Sequence, residues 1–415
     1  MVGRAPGWPE SRRGGREGRG RLRIPWAAAL VVLAVAAFLV HAWPVTLVVY
    51  SMALLWLLVW WLVGRVGRTL SLRQRLSATH VAPGESIGVE IALVNGTRLP
   101  VPWLWLRERL PVHLEAGASF QACGAVAPAG VATFRFEFTP TRRGRYRIGR
   151  VDFTIGDWFG LCSVEGRMDL PLWVTVYPAV RPLPPLPGPP LVPAGPRRQP
   201  ASPFHEELVQ GLRAYQPGDP MRWLAWKATA RTGVLQVREF PRVRERSRTL
   251  VLDMDPSAWR SPVGSRCLER ALSVAASYAW APPEGGHPVG LLTFARTVRY
   301  VADGRGVLED APRLLRVPPA TGILHRRRLL EVLSELHPAP GPGLARLLGQ
   351  HGSRLSPGEG LVVLTSGHDV EVWGAAAAIA RRHPVVLLGF EPRALPSCAG
   401  VQVLSVTLEG EVQWA

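Results

Sequence analysis

Two uncharged apolar runs, separated by four residues, place the first constraint on how this chain folds. Ile24–Val40 reads IPWAAALVVLAVAAFLV and, after His41, Ala42, Trp43 and Pro44, Val45–Val63 reads VTLVVYSMALLWLLVWWLV. A spanning helix needs about 20 apolar residues, with roughly 17 sufficient, and Pro44 breaks the stretch between the runs. Residues 24–63 therefore read as a tight transmembrane hairpin behind a basic tail, residues 1–23. Arg12, Arg13, Arg16, Arg19, Arg21 and Arg23 precede it, Arg65, Arg68, Arg73 and Arg75 follow it, and the turn carries no charge. The positive-inside rule then puts both termini and the soluble domains in the cytoplasm. Trp56, Trp60 and Trp61 suit the interfacial end of the second helix. The alternative is a signal peptide cleaved after Ala42, which leaves the second run as an anchor but turns the arginines after Val63 outward. Ser11-Arg12-Arg13 lacks the bulky apolar residues that follow a twin-arginine signal, since Gly14 and Gly15 stand there.

Net charge argues less than its size implies. The formal +18 is uneven: residues 1–75 hold eleven arginines and two glutamates, a net +9 that is half the total. The other 340 residues are only mildly basic, so nucleic acid is not indicated as a partner. Lys227 is the single lysine. Cys123, Cys162, Cys267 and Cys398 have neither metal-ligand nor redox spacing and read as buried thiols in a reducing compartment.

Between residues 70 and 178 the pattern changes to short alternating runs, such as VATFRFEFTP, in which Phe134, Phe136 and Phe138 alternate with Thr133, Arg135 and Glu137. That period belongs to half-buried strands, and the spacing predicts an antiparallel β-sandwich. Asp157-Trp158-Phe159-Gly160 reads as a structural corner with an aromatic plug. Residues 179–203 are proline-rich and read as a semi-rigid linker.

After the linker, residues 204–415 alternate strand and helix. Arg248–Asp255, Pro288–Phe294, Gly360–Thr365 and Pro384–Phe390 read as strands. Leu268–Trp280, Ile323–Leu336, Leu344–His351 and Val370–Arg382 read as helices. Apolar strands interleaved with helices predict a parallel sheet covered on both faces, an α/β doubly wound domain. The fold is thus multi-domain. Ahead of these elements, Gln216-Pro217-Gly218-Asp219 reads as a turn. Asp219 reads as an N-cap, Pro220 as the first helical residue and Gly233 as the terminator. Such a helix puts Trp223, Lys227 and Arg231 on one face. The strand Val234–Phe240 follows, and then Arg242, Arg244, Arg246 and Arg248 at alternate positions.

The pattern Leu212-Arg213-x-Tyr215-x-Pro217-Gly218-Asp219-x-x-Arg222-x-x-x-Trp226-Lys227-x-Thr229-Ala230-Arg231, followed by Glu239-Phe240 and a strand ending in Asp253, resembles the bacterial family of domain of unknown function 58. The resemblance takes in the hairpin, an arginine-arginine-glycine-tyrosine turn (Arg142, Arg143, Gly144, Arg145, Tyr146), the Asp-x-Phe-Gly corner and a von Willebrand A-like domain. It implies an inner-membrane protein with a MoxR-type AAA+ ATPase as partner. Arg213, Tyr215, Asp219, Arg222, Trp226, Lys227 and Arg231 are then the candidate partner-binding residues. A von Willebrand A domain that binds Mg²⁺ uses D-x-S-x-S after its first strand, a threonine loop and a later aspartate, all oxygen ligands. Here Asp253, Asp255 and Ser257 are the candidate metal residues. Asp255 replaces the middle serine, the threonine loop falls at Gly341-Pro342-Gly343, and the aspartate position falls at Ser366. The site is expected to be degenerate and no cofactor to be required.

Catalytic patterns are otherwise missing. There is no G-x-x-x-x-G-K-[ST], H-E-x-x-H, G-x-S-x-G or G-x-G-x-x-G. His205-Glu206-Glu207 and His368-Asp369 are the nearest acid/base clusters, and Thr365 and Ser366 are hydroxyls without a positioned base. The expected function is a non-enzymatic scaffold or adaptor that couples the membrane to an ATPase. The alternatives are a metal-dependent protein-binding module and a membrane-bound hydrolase.

Overall fold

The computed structural model describes residues 32, 35–36, 43–111, 114, 119–158, 160, 162–184, 211–216, 219, 221–239, 247–281, 287–301, 307–352, 355, 359–390, 400–406 and 412–414. The first helix described in full, α1 (Trp43–Thr69), has 27 residues and is long and apolar enough to cross a membrane. Pro44 sits in its first turn, where a missing N–H costs nothing. α1 runs past Val63 and carries Arg65 and Arg68 in its last turns. There Val63 and Val66 join a hydrophobic core with the residues that follow. Of Ile24–Val40 only Val32, Val35 and Ala36 are described, all helical. The remainder of the first expected span lies outside the described residues.

α1 enters a β-sandwich with no connecting loop. β1 (Ser71–Leu76), β3 (Ile87–Val94) and β6 (Val131–Phe138) form one antiparallel sheet. β4 (Val101–Arg109), β5 (Ser119–Val126), β7 (Gly144–Gly156) and β8 (Ser163–Val176) form the other, with the two-residue β2 (His80–Val81) beside β8. The inner faces alternate as period-2 strands must: Ile87, Val89 and Ile91 meet Leu104, Leu106, Val151, Phe153 and Val174 in one core.

The α/β part begins at β11 (Arg248–Leu252), after a small two-stranded excursion, β9 (Gly211–Ala214) and β10 (Gln236–Glu239), which encloses the short helix α2 (Trp226–Thr232). Next come α3 (Gly264–Trp280), β12 (Val289–Val301), β13 (Val307–Glu309), β14 (Arg313–Ala320), α4 (Ile323–Glu335) and β15 (Leu336–His337). α5 (Leu344–Gly352), β16 (Gly360–Thr365), α6 (Val370–Ala380), β17 (Val385–Gly389), β18 (Val401–Val406) and β19 (Val412–Trp414) complete it. Counting β11 as first and leaving out the short β13 and β15, the spatial order β14-β12-β11-β16-β17-β18 is 3-2-1-4-5-6. All neighbours are parallel except β14 on β12. Leu250, Leu252, Val362 and Leu364 face α3 and α4, whereas Val251, Leu361 and Val363 face α5 and α6. A sheet buried on both faces explains why β11 and β16 are unbroken apolar runs. β13, β14, β15, β18 and β19 have no counterpart among the strands expected from the sequence. β14 reads RLLRVPPA, whose two prolines are tolerated because it is an edge strand.

The two bodies share one sheet. β12 is 13 residues long, and beyond the stretch flanked by β11 and β14 its Arg299, Tyr300 and Val301 pair in parallel with Arg145, Tyr146 and Arg147 of β7. Tyr146 stacks on Tyr300 with centroids 5.0 Å apart, and its hydroxyl donates to the carbonyl of Arg142 at 3.0 Å. Arg143 is buried, donates to the carbonyls of Leu333 (3.3 Å) and Leu336 (2.7 Å), and pairs with Glu269 on α3. The arginine-arginine-glycine-tyrosine turn is thus the bolt between sandwich and α/β part, not a feature of the sandwich alone.

The linker expectation needs the same correction. Its described start is strapped to α3: Ser273 Oγ donates to the Ala179 carbonyl (2.5 Å), the Arg181 N–H donates to Ser277 Oγ (2.9 Å), and Leu183 packs on the core. Residues 185–203 lie outside the described residues. Cys162 and Cys267 are buried as expected, but Cys123 is exposed on β5, where its side chain points away from the sandwich core. Cys398 is not described. At the corner, Asp157 Oδ1 accepts the Cys162 N–H at 2.7 Å, so the turn is structural. Trp158 is no plug, being 75% exposed. Phe159 lies outside the described residues.

Candidate functional site

Reversal of strand order between β11 and β16 opens a crevice at their carboxyl ends, the place where open α/β sheets bind ligands. Asp253 follows β11 directly and is held there by its own N–H, which donates to the Leu364 carbonyl at 2.9 Å. Its Oδ2 accepts from Thr365 Oγ1 (3.1 Å) and its Oδ1 from the Asp255 N–H (3.1 Å). Asp255 Oδ1 in turn accepts the Ser257 N–H (2.9 Å), and the Trp259 indole donates to the Asp253 carbonyl (3.1 Å). Burial pushes Asp253 up to about 6, against the lowering effect of the Asp255 N–H and Thr365, with the charges of Asp255 and Asp369 adding to the rise. Leu252, Met254, Phe294, Pro342 and Leu344 line a cleft of about 10 Å³, room for one water.

Sequence reasoning put Gly341-Pro342-Gly343 opposite Asp253, and the three residues do line this cleft. They bring no side-chain oxygen to it. Ser366 is buried, and Ser257 is exposed with its N–H spent on Asp255. Among the described residues no group of three or more His, Cys, Asp or Glu side chains is arranged to hold a metal. Of the oxygens that a Mg²⁺ site of the von Willebrand A kind draws on, the loop at Gly341-Pro342-Gly343 supplies none from a side chain. Of the other acid/base candidates, Asp369 caps α6 by accepting the Glu371 N–H at 2.9 Å. His205, Glu206 and Glu207 lie outside the described residues. Thr365 was considered only as a nucleophile. Its hydroxyl is instead the partner of Asp253, and the signal for it was a polar residue closing the apolar strand GLVVLT.

The excursion from Gly211 to Glu239 differs from the helix expected there. Met221–Trp223 is a single 3-10 turn, Leu224 forms a β-bridge with Val237, and the Ala225 N–H donates to the Gln236 carbonyl at 2.8 Å. That bridge pulls the backbone out of the helix, which restarts at Trp226 with Ala225 at its N-cap. Asp219 serves the turn that precedes the 3-10 segment. Its two oxygens take a bidentate pair from Arg213 (2.8 and 2.7 Å) and the Gln216 N–H (2.9 Å), which closes the turn. Gly233 does terminate α2, at φ 73°. Arg213 and Asp219 are thereby architectural, and the Tyr215 N–H donates to the Leu235 carbonyl at 2.8 Å. Trp223 does not share a helix with Lys227 and Arg231, and the side chain of Arg222 lies outside what is described.

Trp226, Lys227 and Arg231 remain. α2 buries none of its residues, Trp226 is 64% exposed, and among the described residues neither cation pairs with a carboxylate. Met221, Leu212, Val234 and Leu235 are exposed around it. The excursion has its own small core, Leu224, Ala225 and Val237, and contributes nothing to the three main hydrophobic cores. Of the expected arginine stem, Arg248 is buried with its guanidinium 5.9 Å from the Tyr278 ring centroid and is not part of this surface. Arg242, Arg244 and Arg246 are not described.

Residues 211–413 match the family model described as Protein of unknown function DUF58. Over 244 residues the chain is 24% identical to Uncharacterized protein YeaD of Bacillus subtilis (strain 168), 55% of this chain and 57% of that one. Over 131 residues it is 32% identical to Uncharacterized protein Rv1480 of Mycobacterium tuberculosis (strain H37Rv), 31% of this chain and 36% of that one. The match spans about half or less of these relatives' own length. Among solved structures, the CARDB domain of the PF1109 protein from Pyrococcus furiosus aligns at a TM-score of 0.19 and 17% identity, covering 26% of this chain and 86% of that one. A likeness of that size carries no argument.

Proposed function

We propose, for a chain whose residues 211–413 belong to the DUF58 family, the role of a membrane-anchored adaptor with no catalytic step of its own. α1 and the preceding apolar run hold it in the inner membrane as a hairpin with both ends cytoplasmic. The hairpin is supported by a stripe of reduced exposure along α1 at Thr46, Val49, Ala53, Trp56 and Val59, the spacing of one helix face. The α/β part is a von Willebrand A-like domain, a reading supported by the 3-2-1-4-5-6 order with one antiparallel edge. The excursion docks an acidic surface of a cytoplasmic partner, a MoxR-type AAA+ ATPase.

One observation carries this reading: an excursion outside every main core leaves Trp226, Lys227 and Arg231 exposed on a helix that buries nothing. Exposed aromatic and basic residues are the types enriched at interface anchors, and a desolvated charge contact contributes on the order of 2 kcal/mol. Lys227→Ala combined with Arg231→Ala is expected to abolish co-purification with the ATPase while the thermal transition stays unchanged. Retained binding with an intact transition means the partner docks elsewhere.

A metal-dependent binding module is the second reading, favoured by the carboxylate and hydroxyl that meet at the switch crevice. With the donor set incomplete, calorimetric titration of the full chain with Mg²⁺ or Mn²⁺ is expected to give no saturable heat. Tight binding removed by Asp253→Ala would move the functional centre to the crevice.

A further inference from the structure

The strand registers gather every loop at one end of the sandwich around the point where α1 enters it. Ser71, the first residue of β1, pairs with Val94 at the end of β3, and Val94 pairs with Val131 at the start of β6. In the other sheet Val101, which opens β4, pairs with Val126 at the end of β5, while Trp103 pairs with Gly156 at the end of β7 and Gly156 with Ser163. The turns 95–100 and 127–130 are tied together by Asn95 Nδ2 donating to the Ala127 carbonyl (3.1 Å) and the Ala129 N–H to the Thr97 carbonyl (2.7 Å). Gly67 of α1 packs against Ile155 and Val164, one register step from the corner 157–162. Helix exit and all three turns therefore share one end.

Depth follows from helix geometry. The apolar run of α1 ends at Val63, and Gly67 lies four residues, a rise of about 6 Å, beyond it. The interfacial layer of a bilayer is roughly 5–8 Å deep on each side, so the turns fall within it. Their composition suits that layer. Trp158 is 75% and Trp103 45% exposed, and Val131 is exposed beside them. Arg65, Arg68 and Arg98 are exposed, and Asp157, the acidic residue of these turns, is engaged by the Cys162 N–H. Indole rings collect at headgroup level and arginines gain from anionic phosphates.

We propose that this end of the sandwich is a second membrane contact, with Trp158 and Trp103 seated among the headgroups of an anionic leaflet and Arg65, Arg68 and Arg98 against its phosphates. The inference rests on the reading of α1 as membrane-embedded. α1 and the corner then fix the tilt of the body against the bilayer jointly.

The test uses the full chain in phosphatidylglycerol-containing nanodiscs, with Cys123→Ser and Cys398→Ser and one spin label at Trp158→Cys, Thr139→Cys or Leu54→Cys. Thr139 is exposed just after β6, at the opposite end, and Leu54 is exposed midway along α1. The expected result is severalfold lower collision with a water-soluble nickel chelate at 158 than at 139, together with raised collision with oxygen. A lipid signature at 54 with 158 behaving like 139 overturns the second contact and leaves the anchor standing. Low nickel and low oxygen collision together at 158, the pattern of burial in protein, also overturns it. A water signature at 54 removes both readings.

Discussion

Glu108 is a carboxyl group with no exposed surface, set between the two sheets, and its partners are all donors. Gln74 Nε2 donates to both its oxygens (2.9 and 3.1 Å) and the Gly149 N–H to one (3.0 Å). Gly149 has to be glycine, since its φ is 100° and a Cβ there would strike the Leu170 carbonyl. Burial outweighs these hydrogen bonds and pushes Glu108 up to about 7 from 4.5. A raised carboxyl pKa means that the folded state holds the proton more tightly than the unfolded state. Stability is then highest below pH 4.5 and declines as pH rises through 7, by about 3 kcal/mol in all. Asp253, raised to about 6, pulls in the same direction. Glu108→Gln carries no charge, and a flip of the Gln74 amide would turn its Oε1, which has no partner among the described residues, toward the new amide N–H. The variant is expected to melt higher than the parent at pH 8 and to flatten the decline between pH 4.5 and 7. Circular dichroism melts across that range measure it, and an unchanged slope assigns the decline to other groups. Nothing in the alternating sequence of β4 marks Glu108 as special, because its donors come from 34 and 41 residues away.

At the scale of single elements, legibility followed how local the determinants were. Gly360–Thr365 was placed to the residue because a buried parallel strand writes itself as an apolar run bounded by a glycine. α3 starts four residues earlier than expected, at Gly264, since its first turn is polar and lacks a side-chain cap. The expected helix over Asp219–Gly233 failed for the opposite reason: Arg213 claims the Asp219 carboxylate, and Val237 claims Leu224 through a β-bridge. Local capping signals were overridden by pairing partners on either side of the segment. The strap before residue 185 was invisible for a related reason, as proline content predicts extension but not what the extended chain lies on. Ser277 Oγ accepts from the Arg181 N–H and donates to the Ser273 carbonyl. Ser277→Ala leaves the part-buried Arg181 amide short of its acceptor and is expected to cost about 1 kcal/mol. Urea titration of the protein would register it as a lower midpoint with an unchanged slope.

The whole molecule is joined at β12, whose two halves serve different bodies. Its first half is the second strand of the α/β sheet, and its last three residues are an edge partner for β7 of the sandwich. An α/β domain and a sandwich were both legible from their hydrophobic periods, but periodicity describes one element at a time. The strand they share required knowing that Val289–Val301 extends seven residues beyond the apolar run that announced it. Three parallel ladder residues are a small contact, so the side chains around them decide whether the bodies act as one. Arg143 reaches across from the sandwich to the carbonyls at the end of α4, and Tyr146 stacks on Tyr300, whose hydroxyl meets His337 Nε2 at 3.1 Å. Arg145 pairs with Glu335 at 2.9 Å, and Arg299 of β12 meets the same carboxylate at 3.3 Å. Glu269, the other partner of Arg143, is mostly exposed and contributes little through its charge. The two buried carbonyls matter more. Arg143→Ala strands both, at about 1–3 kcal/mol each, and the loss falls at the junction rather than inside either core. The parent is therefore expected to melt in a single transition, and Arg143→Ala in two, with the sandwich and the α/β part separating. Differential scanning calorimetry distinguishes these outcomes. A variant that melts once, merely at lower temperature, would place the coupling in the β7–β12 ladder and the tyrosine stack.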